Sequence, residues 1–135
     1  MQLFAGQAQW LTDAHAALHT TRTVLSRLLD DRTCDPTPCH GLAGLFELLL
    51  TASDMLQNSE LAAEVLAGWR VLIELHQEKV TSWPSGFPSG GKSPGLMLGL
   101  AGVGHALLRA ARPESVRSVL LVRADGASCW SEGST

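Results

Sequence analysis

Apolar positions in the first part of the chain recur every three or four residues. Leu11, Ala14, Leu18, Thr21, Leu25 and Leu28 form one mainly apolar stripe, which predicts a helix over about Leu3 to Asp30. Cys34-Asp35-Pro36-Thr37-Pro38 then imposes a rigid, non-helical connection, because proline fixes φ and lacks an N–H. After Gly41 the pattern is apolar nearly all round, which predicts a second helix to about Ala52, buried on most sides. Asn58 or Ser59 can cap a third helix, whose stripe is Leu61, Val65, Trp69, Leu72 and His76 and which is expected to fade near Val80. Residues 81–94 are rich in Ser, Gly and Pro and carry Trp83 and Phe87. They read as an ordered loop, since two aromatics are costly to leave in water. A fourth helix is expected from about Leu96 to Ala111, ended by Pro113. Ser115 to Val122 reads as a short strand or an extended segment packed on helices, and Asp125 to Thr135 as a loose polar end.

One echo ties these elements together. Gly41-Leu42-Ala43-Gly44 recurs 58 residues later as Gly99-Leu100-Ala101-Gly102, and Leu49-Leu50 recurs as Leu107-Leu108 at the same offset. Each copy opens an apolar helix after a loop containing proline or glycine. A helix-pair repeat of this length predicts an all-α fold of stacked helical hairpins. Chance recurrence in a Leu-, Ala- and Gly-rich sequence is the competing explanation.

Composition narrows the function classes. Apolar residues make up 45% of the 135 and charged residues 17%, which is globular rather than disordered. A net charge of −3 gives no footprint for nucleic acid or an anionic membrane surface. The first residues lack a basic leader followed by an apolar block, and the most apolar stretch, Gly95 to Leu108, is too short to span a bilayer. A soluble, cytoplasmic chain is expected. Three cysteines, Cys34, Cys39 and Cys129, make a disulfide framework improbable and turn attention to thiol or metal chemistry.

Cys39-His40-Gly41 is the sharpest such feature. A thiolate and an imidazole are both good zinc ligands. Neighbouring residues inside a helix point about 100° apart, but a turn between Pro38 and the helix start can aim both side chains at one point. Spacing alone favours a plainer reading, a buried cysteine beside a helix-start histidine, because a structural zinc site needs four ligands.

The wider context carries a family resemblance. Thr37-Pro38-Cys39-His40-Gly41-Leu42-Ala43-Gly44, followed by Glu47-Leu48-Leu49-Leu50, resembles the Cys-His-Gly motif of the LanC-like cyclases. Ser93-Pro94-Gly95-Leu96-Met97-Leu98-Gly99-Leu100-Ala101-Gly102-Val103-Gly104-His105-Ala106-Leu107-Leu108-Arg109, with Pro113 and Ser118-Val119-Leu120-Leu121 after it, resembles the C-terminal end of class II (LanM-type) lanthipeptide synthetases. The resemblance covers about Pro38 to Val122. It implies that residues 1–122 are the C-terminal portion of a cyclase domain, a partial α/α toroid, with 123–135 as a polar tail. It implies zinc bound by Cys39 and His40, and a lanthipeptide precursor as partner. The implied reaction adds a peptide cysteine thiol to dehydroalanine or dehydrobutyrine, giving a thioether ring.

Departures from the family pattern shape the remaining expectations. The family's third zinc ligand sits in a Trp-Cys motif with no counterpart upstream of Cys39, and its proton-transfer histidine has no assignable position either. The missing parts are expected on an upstream segment of the synthetase, or the fragment self-associates. Cys34 is a weaker candidate for the third ligand. The competing function is a non-catalytic, incomplete helical module that binds a partner chain or the precursor peptide. An α-toroid enzyme acting on carbohydrate ranks last, since Glu47, Asp54 and the acids from Glu60 to Glu78 form no evident carboxylate pair.

Other polar residues read as structural. His15 and His19 stand four apart on the first helix, a workable ligand spacing, but flank the stripe and read as solvent-facing. His76 reads as a core or rim histidine and His105 as structural. Gly99 to Gly104 lacks the strand and the Gly-Lys-Ser ending of a phosphate loop. Gly91-Lys92-Ser93 is set aside because Pro94 removes a needed backbone donor. Trp83 and Phe87 read as packing anchors before they read as a peptide groove.

Overall fold

The computed structural model describes residues 8–31, 35–77, 83–87 and 92–121. Within them lie four helices, α1 (Ala8–Asp31), α2 (Leu42–Leu56), α3 (Ser59–His76) and α4 (Leu100–Ala111), in the all-α class that the periodicity predicts. The tail at 123–135 lies outside the described residues.

Helices α2 and α3 form the central hairpin. Gln57 ends α2 in the left-handed region, at φ 53°, and the Asn58 amide donates to Ser53 O at 2.9 Å to close the helix end. Asn58 then caps α3, its Oδ1 accepting from the Glu60 amide at 3.0 Å. A reversal this short forces antiparallel neighbours. Leu42, Phe46, Leu49, Leu61, Val65, Trp69 and Leu72 fill the seam, all nearly or wholly buried, and the rings of Phe46 and Trp69 sit 5.0 Å apart. Helix α1 adds Leu25 to this core, and α4 adds Val103, Ala106 and Ala110. A hairpin with a further helix stacked against both its members is the building unit of an α/α toroid, the fold expected above.

Helix α2 is buried on most sides, as expected: up to Ala52 only Leu48 is exposed, and Met55 and Leu56 are exposed in the turn of helix beyond it. Two expectations need correction. Helix α4 begins at Leu100 rather than Leu96, because residues 96–98 form a turn and the Leu100 amide reaches back to Ser93 O. No strand occurs among described residues 115–121. The amides of Ser115 and Val116 instead close on Arg112 O, and Ser118 Oγ accepts from the Leu120 and Leu121 amides. That segment spends its hydrogen bonds locally, with no neighbouring strand to pair with.

The 58-residue echo is a structural repeat. The Leu42 amide donates to Asp35 O at 2.8 Å, and the Leu100 amide donates to Ser93 O at 2.9 Å. Thr37 N donates to Asp35 Oδ1, and Gly95 N donates to Ser93 Oγ. Gly41 and Gly99 cap their helices with nearly the same extended backbone, and a Cβ at either would overlap the carbonyl oxygen of Asp35 or Ser93. The two turns also touch. The Cys39 amide donates to Met97 O at 3.0 Å, and Gly102 leaves room for the Pro38 ring.

Candidate metal centre

The site is built from the first of these twin turns. Pro36, Thr37 and Pro38 are buried and anchor it, while Cys39 and His40 at its tip are exposed. Gly41 N donates to Thr37 O at 3.0 Å and closes the turn just before α2. The buried-cysteine reading of Cys39 is therefore overturned: its thiol is free and exposed. Adjacent residues on a turn are not bound to the roughly 100° divergence of a helix interior. One thiol and one imidazole at such a tip suit zinc in donor chemistry, and they amount to half of a tetrahedral set.

Among the described residues no group of three or more His, Cys, Asp or Glu side chains gathers to hold a metal ion. Cys34, the alternative third donor, and Cys129 lie outside the described residues. His15 and His19 are exposed on α1, as the pattern predicts. His76 is half-buried against Trp83, with ring centroids 4.9 Å apart, and this burial lowers its pKa below the ordinary value of 6.5. Trp83 packs on the core as an anchor, whereas Phe87 is exposed.

The second turn carries Met97 and Leu98 where the first has Cys39 and His40. The repeat therefore keeps the scaffold in both places and residue types able to ligate a metal in one.

Sequence reasoning missed two features. Glu47 and Arg109 form a buried ion pair between α2 and α4, with Arg109 Nε 2.5 Å from Glu47 Oε1. Arg109 Nη1 also donates to Pro113 O and Val116 O. Each residue is a single charge inside an apolar helical run, of opposite sign to the other, and that was the readable signal. The second is Gly86, which completes a Gly-x4-Gly-Lys-Ser spacing with Gly91, Lys92 and Ser93. A phosphate loop needs the helix to start at its Lys-Ser, but residues 92–95 are not helical and α4 starts only at Leu100, so the geometry does not support one.

The sequence places this turn in a known setting. The family model for lanthionine synthetase C-like proteins matches residues 5–121, most of the chain. The chain belongs to the lanthionine synthetase C-like family. No curated protein and no solved structure matches it. This LanC-like membership agrees with the all-α hairpin architecture, and it gives the exposed Cys39-His40 turn a chemical context that spacing alone does not.

Proposed function

We propose that this chain contributes Cys39 and His40 to the zinc site of a lanthionine synthetase cyclase, of the class II (LanM-type) kind, acting on a lanthipeptide precursor. The observation that carries this is the exposed Cys-His tip, set on a buried, hydrogen-bonded turn, in a chain of the LanC-like family.

Cys39 and His40 would hold the zinc, with further donors from a cysteine of the peptide and from another part of the synthetase. Bound zinc lowers the pKa of a coordinated thiol, so that the peptide sulfur is a nucleophile near neutral pH. The reaction forms a bond between that sulfur and the β-carbon of dehydroalanine or dehydrobutyrine. The thiol proton leaves, and a proton is delivered to the α-carbon. In this scheme the chain's own task is positional. Pro36 and Pro38 restrict the backbone, the Gly41–Thr37 hydrogen bond closes the turn, and α2 behind it is anchored in the core. No described helix is long and apolar enough to cross a membrane. We place the reaction in the cytoplasm, where thiols stay reduced.

The test is ring formation on a precursor peptide by the synthetase that contains this chain, comparing wild type with Cys39→Ala and His40→Ala. Loss of thioether product with peptide binding intact supports the assignment; unchanged product in both variants rejects it.

A second reading rests on exposed apolar side chains. Trp10 and Leu11 on α1, Met55 and Leu56 on α2, and Leu66 and Ile73 on α3 are each at least 42% exposed. Such surfaces suit a helical module that binds a partner chain or a second copy of itself without chemistry. Partner or peptide binding that survives Cys39→Ala, with no ring formation by wild type, would favour it.

A further inference from the structure

We infer that Asp35 is a positioning residue for the Cys39-His40 tip, holding the turn at both ends; the inference rests on the metal-site reading above. Its side chain and main chain act at different points. Asp35 Oδ1 accepts from the Thr37 amide at 2.7 Å, which fixes the start of the turn. Asp35 O accepts from the Leu42 amide at 2.8 Å, which fixes the turn against the first residue of α2. Cys39 and His40 lie between these two bonds. A carboxylate acceptor makes the first bond charge-assisted, and so stronger than a neutral one.

Two further observations support the assignment. The second turn repeats the arrangement with Ser93 in the equivalent place. Ser93 Oγ accepts from Gly95 N at 3.1 Å and Ser93 O from Leu100 N at 2.9 Å, so both copies of the turn use a short side-chain acceptor at this place. In addition, Gly86 packs over this turn. Its amide donates to Leu98 O at 3.1 Å, and a Cβ there would come within 2.9 Å of both Asp35 Oδ2 and Thr37 Oγ1. Gly86 therefore lies against the Asp35 and Thr37 side chains and leaves no room for a side chain of its own there.

The repeat also supplies the conservative replacement. Asp35→Ser puts into the first turn the acceptor that the second turn uses, whereas Asp35→Ala removes the acceptor and keeps the main-chain bond. The experiment measures two quantities on the synthetase that contains this chain and on both variants. One is zinc affinity, by competition with a chromophoric chelator in the presence of N-acetylcysteine as added thiol. The other is amide hydrogen exchange at Thr37, Gly41 and Leu42. Asp35→Ala is expected to weaken zinc binding about tenfold and to speed exchange at those amides by a similar factor, the scale of one charge-assisted hydrogen bond. Asp35→Ser is expected to stay within about threefold of wild type in both, and α3 core amides should not change in either variant. Wild-type exchange rates at the turn in Asp35→Ala would overturn the inference, as would equal loss in Ala and Ser variants. Absence of zinc binding by wild type counts against the metal-site reading alone, because the exchange measurement still decides whether Asp35 holds the turn.

Discussion

Glu47 and Arg109 are about 95% buried, and neither has another partner of opposite charge among the described residues. Removing one partner leaves a charge in the apolar interior, so Glu47→Ala is expected to cost about 3–5 kcal/mol in urea unfolding. Replacing both, Glu47→Leu with Arg109→Met, should recover part of that loss, limited by the Pro113 and Val116 carbonyls that Arg109 also satisfies. Gly41 is equally intolerant, since a Cβ would overlap Asp35 O. Gly41→Ala should lose about 2–3 kcal/mol, the range for forced backbone movement at a special position. His76 predicts a pH effect. Its pKa is lowered by burial in the folded state, so the unfolded chain binds more protons around its ordinary value of 6.5. Stability is then full above that value and falls as pH drops below it. The thermal midpoint should decline on acidification below about pH 6.5, with a shallower decline in His76→Gln. An identical pH profile in the variant would remove His76 from the account.

At the scale of elements, helix positions were legible because the core stripes were nearly complete. Leu61, Val65, Trp69 and Leu72 read as one face and are one face, and Asn58 as a cap is a side-chain hydrogen bond in the structure. Asn58→Ala should cost about 1 kcal/mol and fray the start of α3, seen as faster amide exchange there. The start of α4 was not legible, because Leu96-Met97-Leu98 extends the apolar period while Gly99 and the Ser93 carbonyl decide where the helix begins. The strand alternative for the C-terminal segment fails for a related reason. β-branched residues at 116, 119 and 122 suggest a strand, but a strand needs a neighbour and the described residues offer none. The Cys39-His40 tip was legible by its residue types and not by its burial. Proline and glycine around Cys39 and His40 told of a turn, and nothing in the pattern told that its base would be buried and its tip exposed.

For the whole molecule, the described helices leave large apolar side chains on several outer faces, Trp10 and Leu11 at one end and Leu108 at 63% exposure on α4. At about 25 cal/mol for each Å² of apolar surface left in water, that is a standing drive toward association. Sedimentation over a range of concentrations is expected to show concentration-dependent assembly, and a monodisperse monomer at every concentration would count against this reading. The central claim, that Cys39 and His40 are metal donors, is tested most directly by zinc content. The synthetase that contains this chain, and its Cys39→Ala and His40→Ala variants, would each be loaded with zinc in the presence of N-acetylcysteine, freed of excess metal and subjected to elemental analysis. Near-stoichiometric zinc in wild type, lost in both variants, is the predicted result. Zinc absent from wild type, or retained equally by all three proteins, would contradict it.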